Sequence, residues 1–243
     1  MDIISNKLTK SVLIALILII GISGCKKDEA SKTTPTSPNF CYSLTTSNSA
    51  YDSIVGGTEL VDFNSDYFYE VILPFHFTFC DSTFDTLFIP FGSYYPTFSY
   101  IVYQTYTDAQ KYELLTFGNL NLETGDSSKL IYNITGVTGD RITTIEWKKF
   151  IYNEPFTSVN STFSFQIKLY ENGNKIEFHY GPNDITTDFA AVGLSQLAVG
   201  LYSDDLNDGL FLSGNYSSPT TTSTVGNKEL STWPTEGTKY LFQ

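Results

Sequence analysis

The chain contains two imidazoles, His76 and His179. Imidazole can act as a general base or a metal ligand near neutral pH. A zinc site, however, draws three or four ligands at short spacings, and these two histidines have no such company. By strand alternation both fall on outward positions, so they read as exposed strand residues and no metal is expected. Glu146, Glu171 and Glu177 are of the right type for a glycosidase acid pair. Strand alternation routinely places such acids on solvated faces, and that is the reading preferred for all three. No Gly-x-Ser-x-Gly elbow is present, and a serine triad would lack a positioned base. No catalytic residue is therefore expected, and no cofactor. Asp204, Asp205, Asn207 and Asp208, followed by Gly209, gather hard oxygen donors that suit Ca²⁺. Their spacing misses the EF-hand register and no Glu closes the loop. The group is a weak calcium candidate beside the preferred reading of an acidic turn.

Tyrosines recur between 94 and 112. A Tyr ring offers an apolar face and a hydroxyl, which suits sugar stacking or protein contact, although Tyr is also an ordinary strand residue. Tyr94 and Tyr95, between Gly92 and Pro96, are expected in a loop and are the candidate binding aromatics. Cys41 and Cys80 remain as a pair once Cys25 is set aside. In an oxidising compartment they read as a disulfide or as two buried thiols.

These residues must be positioned by strands. In 163–169, Phe163, Phe165, Ile167 and Leu169 share one face, and Ser164, Gln166 and Lys168 share the other. Asn172-Gly173 supplies a turn. Ile176, Phe178 and Tyr180 then point one way, and Lys175, Glu177 and His179 point back. Further strands are expected at 67–80, 84–91, 97–106, 128–134, 141–149, 190–195, 209–213 and 238–242. A helical turn is entertained around 109–115. About ten strands over roughly 200 residues suit a single all-β domain, an antiparallel, jelly-roll-like β-sandwich over 40–243.

The N-terminus has its own logic. Lys7 and Lys10 precede an apolar run, 12–20, that is about half of the ~18 residues needed to cross a bilayer. Small residues follow, in the order of a secretory signal peptide over 1–24. Ile22-Ser23-Gly24-Cys25 resembles the lipobox of bacterial lipoproteins. The resemblance implies cleavage before Cys25, a diacylglyceryl group on its Sγ and acylation (palmitate) of its new amino group. Lys27, Asp28 and Glu29 resemble the surface-export signal of Bacteroidota lipoproteins; a plain charged tether is the alternative. Residues 25–39 then form the lipidated cysteine and a flexible Ser/Thr/Pro linker. Together these imply an outer-membrane location, lipid-anchored and facing the exterior.

Removing residues 1–24 takes away Lys7, Lys10 and Asp2 and moves the formal charge from −12 to −13. Such a surface repels nucleic acid and anionic headgroups. No nucleic-acid partner is expected, and the membrane is met through the lipid anchor.

Six pieces of the chain resemble, in order, a β-sandwich domain of Bacteroidota surface proteins that often precedes a type IX secretion sorting domain. They are VGGT (55–58), PFHFTF (74–79), RITTIEWKKF (141–150), FSFQIKLYENGNKIEFHYG (163–181), AVGL (191–194) and GTKYLF (237–242). The plan is also loosely similar to nidogen-type extracellular domains. The chain departs from the pattern at LFIPFGSYYPTFSY, which lacks an Asn-Gly turn, and in having no sorting domain, which a lipid at Cys25 would make unnecessary. Asp-Ser/Thr-apolar-or-Thr triplets resembling O-glycosylation motifs begin at Asp52, Asp81 and Asp85, with acceptors Ser53, Ser82 and Thr86. The function expected is a non-enzymatic adhesion or glycan- or protein-binding module. A carbohydrate-active hydrolase and a purely structural envelope protein are the alternatives.

Overall fold

Alternation is carried out most plainly in the strand Phe68–Phe79, where Val71, Leu73, Phe75, Phe77 and Phe79 are buried and Glu70, Ile72, Pro74 and His76 are exposed. A computed structural model of the chain describes residues 40–60, 68–90, 99–104, 112–118, 122–153, 160–186, 188, 197, 199–202, 209–223 and 230–243. Residues 39–243 cluster as one unit.

The strands, in chain order, are β1 (Leu44–Asn48), β2 (Thr58–Glu59), β3 (Phe68–Phe79), β4 (Ser82–Pro90), β5 (Ser99–Gln104), β6 (Tyr112–Gly118) and β7 (Leu122–Glu123). They continue as β8 (Lys129–Thr135), β9 (Ile142–Asn153), β10 (Asn160–Tyr170), β11 (Lys175–Asn183), β12 (Gly200–Tyr202), β13 (Gly209–Ser213), β14 (Thr220–Thr222) and β15 (Thr238–Phe242). One sheet has the order β1-β15-β11-β10-β9-β8-β2, with β7 added on β9; the other has the order β14-β13-β12-β6-β5-β4-β3. The ladders are antiparallel, and there is no helix among the described residues. This is the all-β sandwich expected from the alternation.

The inner faces share one apolar core. Trp147, Phe163, Phe165, Phe178, Tyr180 and Tyr240 come from the first sheet; Val71, Phe77, Phe79, Leu87, Ile89, Leu201 and Leu212 come from the second. Trp147 and Phe165 are cross-strand partners with rings stacked 4.8 Å apart. Such a pair stabilises a sheet beyond simple burial.

Several expectations change. Residues 112–115 are strand, not a helical turn, because β6 is paired on both sides, by β5 and β12; tertiary pairing overrides local preference. The β10–β11 connection uses four residues, 171–174, with Gly173 and Asn174 both at positive φ. Residues 190–195, read as a strand, lie outside the described residues. Cys41 and Cys80 are joined by a disulfide, with Cα atoms 5.4 Å apart. Strand phase would aim Cys80 away from the core side of Phe79. Cys80 escapes that phase because it sits in the β3–β4 turn at φ +52°.

A candidate binding cleft on the first sheet

The outer face of the first sheet carries a polar ladder in strict cross-strand register. Gln166 of β10 faces Glu146 of β9 and His179 of β11, and His179 faces Lys239 of β15. One step along, Lys168 faces Glu177. The alternation argument leaves these residues in solvent. Here the structure corrects it: Glu146 is 0 % exposed, His179 2 % and Glu177 5 %. For Glu146 and His179 the cause is a strap, residues 49–55, which covers this part of the face; Glu177 is enclosed by Lys168, Lys239 and Tyr170.

Glu146 holds the strap down. Its Oε1 accepts from the Tyr51 hydroxyl (2.9 Å) and the Ser53 hydroxyl (2.8 Å), and its Oε2 accepts from the Ile54 N–H (2.7 Å). Gln166 Nε2 donates to the Asp52 carbonyl at 2.8 Å. A buried carboxylate is tolerable only when donors replace its lost water, and Glu146 has three. Burial, then the charge of Glu146, pushes the Tyr51 phenol far up, so it stays a donor.

The other acids and histidines are equally committed. Glu177 lies 3.1 Å from Lys168 and 3.5 Å from Lys239, and accepts from the Tyr170 hydroxyl at 3.1 Å. Burial raises its carboxyl, but the two lysines and Tyr170 outweigh that and hold it below the ordinary value. Glu171 accepts two bonds from the Arg141 guanidinium, at 2.8 and 2.6 Å, and one each from the Gly139 and Arg141 N–H groups. Those bonds bring its carboxyl down to about 2. Burial and then Lys168 lower the His179 pKa. Its neutral ring donates from Nε2 to the Ser49 carbonyl and meets Lys168 Nζ at Nδ1, both at 3.4 Å. His76, by contrast, is exposed on its strand, with 79 % of its side chain open, and lies 4.0 Å from Asp85. Among the described residues no group of three His, Cys, Asp or Glu could hold a metal ion.

The Ser53 hydroxyl is taken by Glu146, while those of Ser82 and Thr86 donate to the adjacent Asp81 and Asp85. Cys25, Lys27, Asp28, Glu29, Tyr94, Tyr95, Asp204, Asp205, Asn207 and Asp208 lie outside the described residues.

Beside the ladder, the register breaks twice at one residue. Phe163 pairs with Phe150 and Phe165 with Trp147, so Lys148 and Lys149 together oppose Ser164. On the other flank, Phe163 pairs with Asn183 and Phe165 with Tyr180, so Gly181 and Pro182 also oppose Ser164. A bulge bends its strand and re-aims side chains; here two of them flank the same position. Lys149 takes φ +54°, and its N–H donates to Ser164 Oγ at 3.0 Å. Its carbonyl accepts from Ser128 Oγ at 2.6 Å, and that Oγ in turn accepts from the Gly125 N–H at 2.9 Å.

A cleft of about 790 Å³ opens around this double bulge. The strap contributes Tyr51 and Ser53, the bulges contribute Lys148, Lys149, Ser164 and Pro182, and the turn at 125–127 contributes Asp126 and Ser127. Thr162, Asn183, Asp184 and Glu236 complete its polar lining. Asp184 Oδ1 already accepts from the Thr162 N–H and hydroxyl. Both lysines line the cleft although they are consecutive. Regular strand residues would point to opposite faces; the left-handed residue at Lys149 removes that alternation.

The sequence reading missed this site, yet a signal for half of it is present. Core residues of β9 run 145, 147, 150, 152, a change of parity that requires an extra residue between Trp147 and Phe150.

The family model described as NIDO related matches residues 41–243. The chain belongs to the NIDO-related family. Its matched span begins at the disulfide cysteine Cys41 and takes in both sheets, the strap and the cleft. NIDO is a β-rich extracellular domain, in keeping with the nidogen-type likeness of the sequence. No curated protein and no solved structure matches the chain significantly.

Proposed function

We propose that this NIDO-related chain is a lipid-anchored surface module that holds a glycan in the cleft around Ser164. The observation that carries the reading is the pair of aligned bulges. They open a cleft whose volume falls within the range of ligand sites, about 300–1,000 Å³. Its lining sets hydroxyl, carboxylate, amide and ammonium side chains beside an apolar floor that includes two aromatic residues, Tyr51 and Phe163, with Ile151 and Pro182. A polyhydroxylated ligand uses such groups. A protein partner would call for several buried aromatic or Arg anchors, so among the two ligand classes the glycan is the better match. A hydrolase needs a carboxyl that retains a proton near neutral pH; Glu171 and Glu177 are held below the ordinary carboxyl range by their donors, and Glu146 is sealed under the strap, which speaks against that alternative.

The lipid anchor is Cys25, with residues 26–39 as tether and Lys27, Asp28 and Glu29 as the export signal, of the type used by Bacteroidota. On this reading the module sits on the outer membrane, facing the exterior. The order of basic, apolar and small residues before Cys25 supports the reading, as does membership of an extracellular domain family.

The test is a glycan array probed with the protein and with Ser127→Trp, which fills the cleft from an exposed turn. Retention of a defined glycan set that the variant loses, at unchanged Tm, is the expected result. Binding that the variant leaves intact would move the site elsewhere; absence of any glycan binding would overturn the reading.

A further inference from the structure

The cations of the domain are distributed unevenly. Among the described residues, Lys129 is paired with Glu59, Arg141 with Glu171, and Lys168 and Lys239 with Glu177. Lys148, Lys149 and Lys175 have no ion pair among those residues. Two of these three line the cleft. Among the described residues, the side chain of Lys148 reaches the Ile54 carbonyl alone, at 3.5 Å, and that of Lys149 forms no hydrogen bond or ion pair. A chain with a formal charge of −12 thus has, on the lining of one cleft, two consecutive lysines with no ion pair among the described residues.

We infer that this cleft selects an acidic saccharide, with Lys148 and Lys149 gripping its anionic substituent, a carboxylate or sulfate. The inference rests on the glycan-binding reading above. The other charged groups argue for a sugar over an acidic peptide. Asp126, Asp184 and Glu236 also line the cleft. Ionised carboxylates only accept hydrogen bonds: they repel the side chains of an acidic peptide but accept from sugar hydroxyls. A sugar unit with one anionic group and several hydroxyls satisfies both sets at once. The lysines, being the mobile point charges of the cleft, would add charge discrimination more than raw affinity.

The experiment measures affinities of the full-length protein in detergent by calorimetry at low and high salt. The probes are a uronate oligosaccharide, its carboxyl-reduced neutral counterpart and a sulfated neutral-sugar oligomer. The expected result is roughly tenfold tighter binding of the two anionic probes at low salt, the effect of two half-exposed ion pairs, shrinking at high salt. Replacing both Lys148 and Lys149 with Gln should equalise the three while keeping the neutral probe bound, which shows that the cleft is still folded. Lys175→Gln, at the start of β11, should leave the preference intact. Equal binding of all three by the unaltered protein overturns this inference and leaves glycan binding standing. An anionic preference that survives in the double variant also overturns it. Binding of none of them overturns the glycan reading itself.

Discussion

Tyr51 packs directly on Gly181: a Cβ at Gly181 would lie 2.7 Å from the Tyr51 ring, while the ring's hydroxyl reaches Glu146 at 2.9 Å. The missing side chain at 181 and the buried carboxylate at 146 together seat the strap, which in turn supplies one side of the cleft. Gly181→Ala should push the strap off its seat at a cost of roughly 1–3 kcal/mol. Glu146→Ala strands two hydroxyls and an N–H and should cost on the order of 3 kcal/mol. Urea unfolding measures both. Accelerated proteolysis within 49–55 should accompany the loss, and a Glu146→Ala protein as stable as its parent would show that the strap is held by something else.

The Cys41–Cys80 disulfide ties the chain ahead of edge strand β1 to the β3–β4 turn of the other sheet. Its partners are separated by 39 residues, a loop worth roughly 4 kcal/mol in the chain-entropy account. Replacing both cysteines with Ser should lower stability by up to that amount and fray β1 first, since chain ends open most readily. Hydrogen exchange at 44–48 would report it; unchanged protection there would confine the bridge to a local role.

Acid should weaken the fold in two stages. The folded pKa of His179 is held below 6.5, first by burial and then by Lys168, with Glu177 opposing and Lys239 and Tyr51 also adjacent. The unfolded chain therefore takes up a proton that the folded state refuses, and stability falls as the pH drops below 6.5. Glu177 and Glu171 are held below their ordinary 4.5, Glu171 at about 2. Their contribution is full above 4.5 and disappears as the pH falls through their folded values. Urea unfolding from pH 8 to 3 should show both declines. His179→Gln should flatten the upper one alone; if it leaves the upper slope untouched, another group carries it.

Attachment should depend on Cys25. Cys25→Ala should release the protein from membranes, because anchoring rests on the acyl chains and a formal charge of −12 disfavours attachment to anionic headgroups. Alanines at Lys27, Asp28 and Glu29 should preserve lipidation and shift the protein from the outer surface to the inner leaflet. Salt-washed membrane fractions read the first change and protease shaving of whole cells the second. Sedimentation of the Cys25→Ala protein with washed membranes would refute the anchor.

Read alone, the sequence determined the strands whose burial follows from their own alternation. Phe163, Phe165, Ile167 and Leu169, and then Ile176, Phe178 and Tyr180, are inward for the local reason that strand side chains alternate with period two. It determined His76 as exposed for the same reason. What alternation cannot say is whether the outward face meets water. That was decided by residues 49–55, roughly a hundred positions earlier in the chain, which descend on Glu146, Gln166 and His179 and turn three outward polar residues into buried ones. The parity change between Trp147 and Phe150 was legible as an extra residue. Only the register of three strands showed that a second bulge, at Gly181 and Pro182, meets the same Ser164. Pairing between distant segments sets register, and register sets which side chains converge. The cleft therefore belongs to the tertiary structure, because no single strand contains it.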